Sequence, residues 1–186
     1  TVVQRVAGRK PVIVHIGDIG TRKSIELARH ASAAGADAIS SVPPFYWHFS
    51  DADIFAYYRD ISEATSLPMV VYNVPLAGLM GTELLLKLAQ LDNVRGLKFT
   101  GKDHDQADFM VYSGCDEMAL SGLTVGADGI IGSFYNAMPE VFKRIYACAR
   151  AGELTQAARL QRIATEIILE AIKYDYMPLL HTMITW

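Results

Sequence analysis

At 186 residues, with 51% hydrophobic and 20% charged side chains, the sequence has the composition of a globular domain with a buried core, not of a disordered chain. Its 17 basic residues against 20 acidic ones give a net charge of −3, and no basic run offers a footprint for nucleic acid. No apolar stretch approaches the roughly 18 residues of a membrane span, and Thr1-Val2-Val3-Gln4-Arg5 is no apolar leader. Cys115 and Cys148 suit a reducing, cytoplasmic setting better than a disulfide scaffold.

In chain order, short runs rich in Val and Ile predict strands at 11–16, 38–42, 68–74, 94–99, 110–113 and 129–133. Helical periodicity fills most of the intervals. Over 51–65, Ile54, Tyr58 and Ile61 share a face behind Ser50, which stands where an N-cap belongs. Over 153–174, Leu154, Ala157, Ala158, Leu160, Ile163, Ala164, Ile167, Ile168, Ala171 and Ile172 form a wide apolar stripe, part of a helical tail spanning 153–186. Gly35, Gly78 and Gly152 read as stops or turns. Strand alternating with helix predicts parallel strands joined by crossover helices, in an open doubly wound sheet or in part of a barrel.

About six such units are visible, whereas a (β/α)₈ barrel takes eight strands and typically about 250 residues. The sequence is therefore read as one domain over 1–186, short of its first two strands. A second irregularity is local. Only 101–109, mostly polar, separates two predicted strands, while a parallel crossover normally needs about 10–12 residues or more, so a helix is expected to be missing there. His104-Asp105 in that stretch reads as solvated crossover.

Active sites of parallel α/β folds gather at the C-terminal ends of strands. The period of two puts Gly96, Lys98 and Thr100 on one face and Leu97 and Phe99 on the other. If the Lys98 face is enclosed, burial keeps some of its amine neutral and nucleophilic, as a Schiff base requires; otherwise Lys98 is a strand-end lysine reaching for water. Tyr72 is either a proton relay or a core tyrosine, and Pro75 stops its strand. The aromatic loop Pro43-Pro44-Phe45-Tyr46-Trp47-His48-Phe49 covers a pocket, meets a partner subunit, or simply packs. Asp116 and Glu117 bind substrate hydroxyls or favour the N-terminus of the following helix. Ser133 and Asn136 are small polar groups at a strand end. No HxxxH or CxxC spacing marks a metal site, His15 within Val-Ile-Val-His-Ile reads as a core histidine, and neither a dinucleotide fingerprint nor a G-x-S-x-G elbow is present.

Taken in order, Tyr72-Asn73-Val74-Pro75, Gly96-Leu97-Lys98-Phe99-Thr100 and Gly129-Ile130-Ile131-Gly132-Ser133 resemble the N-acetylneuraminate lyase / dihydrodipicolinate synthase superfamily of class I aldolases. Pro43-Pro44-Phe45-Tyr46 is similar to its aromatic loop. The resemblance implies a (β/α)₈ TIM barrel, a homotetramer, and pyruvate held as a Schiff base on Lys98, with Tyr72 as proton relay and Tyr46 at the edge of the active site. Within the superfamily, Gly114-Cys115-Asp116-Glu117 and Gly132-Ser133-Phe134-Tyr135-Asn136 look like the lyase branch. The arginine usual in the synthase branch after Tyr-Asn-Val-Pro is replaced by Leu76-Ala77-Gly78.

The lyase branch implies reversible aldol cleavage of sialic acid to N-acetylmannosamine and pyruvate. Thr100, Gly114, Asp116, Glu117 and Ser133 would hold the sugar chain, and no metal or organic cofactor would be needed. Other pyruvate-dependent aldolases, including dihydrodipicolinate synthase and 2-keto-3-deoxy sugar acid aldolases, and a non-catalytic binding barrel are the alternatives. The family's Gly-Ser/Thr-Thr-Gly-Glu turn, which grips the pyruvate carboxylate, is absent from the sequence.

Overall fold

The computed structural model describes residues 1–100 and 110–185. The expected alternation is present. α1 (Val2–Val6) precedes β1 (Ile13–His15), α2 (Thr21–Ala33), β2 (Ala38–Ser41), α3 (Asp51–Ala64), β3 (Met69–Asn73), α4 (Thr82–Leu88) and β4 (Val94–Phe99). Then come β5 (Met110–Ser113), α5 (Ala119–Thr124), β6 (Gly129–Ile130), α6 (Pro139–Arg150), α7 (Leu154–Ala171) and α8 (Tyr176–Thr185), with short 3₁₀ turns at Pro75–Ala77, Asp116–Met118 and Phe134–Asn136. The anticipated missing helix and the His104-Asp105 reading lie outside the described residues. Among the described residues, no helix is long and apolar enough to cross a membrane.

Backbone packing divides the chain into two compact units, Thr1–Met110 and Val111–Trp186. In the first, β1 to β4 pair in parallel in sequence order. Alternation along these strands sorts their side chains. Val14, Ile39, Met69, Val71, Leu97 and Phe99 join the apolar cluster with Ala28 and Ala31 of α2, Tyr58 and Ile61 of α3, and Leu84 and Leu88 of α4. The opposite face carries His15, Ser40, Tyr72 and Lys98. His15 is therefore not a core histidine: β1 sends Val14 into the cluster and leaves His15 exposed on the other side.

α3 begins as expected. Ser50 accepts a hydrogen bond from the Asp53 amide, and the Asp53 carboxylate accepts from the Ser50 amide, a complete capping box. Its apolar face buries Tyr57, Tyr58 and Ile61. The two phenols are satisfied inside the core: Tyr57 OH lies 2.7 Å from Ser24 Oγ and 2.8 Å from Ser41 Oγ, and Tyr58 OH donates to the Ser41 carbonyl at 2.8 Å.

The loop after β3 is built by one amide. Asn73, fully buried, donates from Nδ2 to the Met80 carbonyl at 3.0 Å and accepts from the Met80 amide at 2.9 Å. The chain between them turns through Pro75–Ala77 and through Gly78, whose φ of +83° suits glycine. Asn73→Leu conserves bulk but strands both Met80 backbone groups. It is expected to lower the unfolding free energy by roughly 2–6 kcal/mol in urea denaturation, from two buried groups at about 1–3 kcal/mol each.

In the second unit, β5 and β6 pair in parallel through Tyr112↔Gly129 and Ser113↔Ile130. The last predicted strand is shorter than expected: after Ile130 only the Ile131 amide continues the ladder, donating to Ser113 O at 2.9 Å before the chain turns at Phe134–Asn136. Phe134, Phe142, Ile145, Ala164, Ile168 and Leu180 form this unit's core. The long stripe of α7 is split. Ala157, Ala164, Ile168 and Ala171 are buried, whereas Leu154, Ile163, Ile167 and Ile172 face outward.

Candidate active site

The polar face of the first unit brings Lys98 and Tyr72 together. They are register partners on β4 and β3, and Lys98 Nζ sits 3.9 Å from the centroid of the Tyr72 ring. Both side chains are partly buried. A cation over an aromatic face is attracted by the ring quadrupole, which fixes the amine without occupying the Tyr72 hydroxyl.

His15 completes this group, and sequence reading missed it. Its ring meets Tyr72 edge-on at 6.3 Å between centroids, and Nδ1 lies 3.1 Å from Ser40 Oγ. A Cβ on Gly17 would come within 2.8 Å of His15 Nε2, so the glycine leaves room for the imidazole. Although the residue as a whole is exposed, the lodging of its ring and then the nearby Lys98 ammonium lower the His15 pKa below its usual 6.5. The unfolded chain therefore takes up that proton first. Stability is expected to fall as pH drops below about 6.5 and to level off once the folded imidazole is also protonated. Unfolding free energies measured across this range should lose that component in His15→Gln.

Thr100 directly follows β4, and its backbone amide donates to Asn73 O at 3.0 Å. Its hydroxyl is buried with no hydrogen-bond partner among the described residues. Tyr46 stands apart. It is 93% exposed with a φ of +93°, an uncommon conformation for a residue with a side chain. With Phe45, Trp47, His48 and Leu76 it lines a cavity of about 470 Å³ that includes neither Lys98 nor Tyr72.

In the second unit, Gly114 leads into the 3₁₀ turn that carries Asp116 and Glu117. Asp116 is buried, and its Oδ2 accepts from the Phe134 amide at 2.8 Å, at the start of the next 3₁₀ turn. The carboxylate thus serves a turn eighteen residues further on. Gly132 is required by this arrangement: a Cβ there would lie 1.5 Å from Asp116 Oδ1. Glu117 and Ser133 are exposed. Tyr135, quoted in a motif but given no role, has a buried hydroxyl without a hydrogen-bond partner among the described residues. Its burial, then the Asp116 carboxylate, push its pKa upward.

The family model for the dihydrodipicolinate synthetase family matches residues 1–185. The chain belongs to that family. The N-acetylneuraminate lyase of Rhizobium meliloti (strain 1021) is 40% identical over 187 residues, covering 95% of this chain and 62% of that protein. A catalytic-lysine mutant of the Ruminococcus gnavus sialic acid aldolase superposes with a TM-score of 0.86 at 34% identity, covering 90% of this chain and 59% of the other. A dihydrodipicolinate synthase structure superposes at 0.90 with 27% identity, covering 96% of this chain and 66% of the other.

The sequence-level resemblance to this family is therefore correct, and the fold is that of its (β/α)₈ TIM barrel in part. Six strands are present in the described chain, which spans 62% of the length of the Rhizobium relative.

Proposed function

We propose that this chain carries the reacting pair of an N-acetylneuraminate lyase, a class I aldolase that reversibly cleaves sialic acid to N-acetylmannosamine and pyruvate. The observation that carries the reading is the Lys98 amine fixed 3.9 Å over the Tyr72 ring on the polar face of β3 and β4. The 40% identity to a relative named N-acetylneuraminate lyase supports sialic acid as the substrate.

In this mechanism the neutral Lys98 amine attacks the C2 ketone of the open-chain sugar, and loss of water leaves an iminium. As the C3–C4 bond breaks, the C4 hydroxyl proton passes to the Tyr72 oxygen while the phenol hands its own proton along the relay, which later returns one proton to C3. The bonding pair flows into the iminium, giving an enamine and releasing the aldehyde. Protonation at C3 and addition of water then free pyruvate and restore the amine. The iminium is the electron sink, so no metal or organic cofactor enters a step.

Thr100, Gly114, Asp116, Glu117 and Ser133 are assigned to the hydroxylated acceptor, and Tyr46 to the edge of the active site at a contact between copies of a homotetramer. Asp116 also holds the backbone there, its Oδ2 accepting from the Phe134 amide. A cytoplasmic enzyme acting on small molecules, built as a single barrel domain, is consistent with this reading. Dihydrodipicolinate synthesis is the less favoured chemistry because Leu76-Ala77-Gly78 stands where that branch has its carboxylate-binding arginine.

The test is to incubate the full chain with pyruvate and borohydride and map the adduct. Reduced pyruvate on Lys98, together with cleavage of N-acetylneuraminate in preference to a panel of 2-keto-3-deoxy sugar acids, supports the proposal. No adduct on Lys98 refutes the aldolase reading, and an adduct with preference for another acid refutes the substrate.

A further inference from the structure

The turn carrying Asp116 and Glu117 is held from behind by two side chains of α7. Gln161 Nε2 donates to the Asp116 carbonyl at 3.1 Å and to Thr165 Oγ1 at 3.2 Å, while Gln161 Oε1 accepts from the Leu120 amide at 2.9 Å. Thr165, one helical turn further along, donates from Oγ1 to the Glu117 carbonyl at 3.2 Å. Leu120 lies in the first turn of α5, where backbone amides have no partner within the helix, so Gln161 supplies that missing acceptor from forty-one residues away. Every hydrogen-bonding group of the Gln161 amide is used, and the need for an acceptor at Leu120 fixes which way the amide points.

These contacts complete a clamp. The Asp116 side chain is held in front by the Phe134 amide, and the carbonyls of Asp116 and Glu117 are held behind by Gln161 and Thr165. The Glu117 side chain itself stays exposed, free to meet a ligand. We infer that Gln161 and Thr165 are positioning residues for acceptor specificity, aiming the Asp116–Glu117 turn at the hydroxyls of the sugar without touching substrate. This rests on the proposed assignment of that turn to the acceptor. It separates two functions along the chain, with pyruvate chemistry on β3 and β4 and acceptor selection on a turn braced by α7.

A positioning role predicts a split that simple destabilisation does not. In the full chain, Gln161→Leu and Thr165→Val are expected to raise KM for N-acetylneuraminate, and for N-acetylmannosamine in the synthetic direction, by about tenfold or more. KM for pyruvate and borohydride trapping of pyruvate on Lys98 should stay within about twofold of the parent. Thr165→Ser, which keeps the hydroxyl, should restore parent behaviour. Thr165→Val is the gentler change and remains informative if Gln161→Leu folds poorly. An unchanged sugar KM, or a parallel loss of pyruvate trapping, would overturn the inference. Failure of the parent protein to trap pyruvate would instead remove the aldolase reading beneath it.

Discussion

Replacing Lys98 by Met is expected to abolish turnover and the borohydride-stable pyruvate adduct together, with a loss of activity on the order of a thousandfold or more, as befits removal of a covalent nucleophile. Met keeps an unbranched stem to lie against the Tyr72 ring, so the site should lose its amine without a large packing defect. The expected pair of results is an unchanged urea midpoint and no detectable cleavage of N-acetylneuraminate. Ordinary turnover by Lys98→Met would eliminate the Schiff-base mechanism outright. Loss of the adduct with turnover preserved would be equally damaging, because the covalent step would then be incidental.

The phase of β4 was legible in the sequence because the alternation around Leu97, Lys98 and Phe99 puts apolar and polar residues on opposite faces. What alternation within one strand does not reveal is cross-strand register. The Tyr72↔Lys98 pairing depends on how β3 and β4 align, including the irregularity beside Met69 and Val70. His15 was misread for a related reason. β1 is only three residues long, and apolar neighbours on both sides in Val-Ile-Val-His-Ile hide which face the ring takes.

Gln161 was invisible for another reason. On an amphipathic helix a polar residue reads as surface, and besides Thr165 its partners are backbone groups more than forty residues away that carry no sequence signature. Asn73 was legible as part of a motif but not as the residue that builds the loop after β3. Tyr135 was in plain view within Gly-Ser-x-Tyr-Asn, and only its buried hydroxyl distinguishes it from a packing aromatic.

Tyr72→Phe should leave Lys98 in place and remove only the relay. The Lys98 ammonium contacts the ring face, 3.9 Å from its centroid, and phenylalanine presents the same kind of face, so the amine keeps its seat when the hydroxyl goes. His15 meets the same ring edge-on, which phenylalanine also permits. The proposed mechanism then assigns the whole effect to proton transfer at the C4 hydroxyl. kcat for N-acetylneuraminate cleavage is expected to fall by about 10²- to 10⁴-fold, the range typical of a lost general acid–base group. Pyruvate should still be trapped on Lys98 by borohydride, though more slowly if the hydroxyl also serves iminium formation. Tyr72→Leu removes both hydroxyl and ring face and should impair trapping as well as cleavage. If Tyr72→Phe cleaved sialic acid at the parent rate, the proton would have another acceptor, and Tyr72 would be reduced to the support on which the lysine rests.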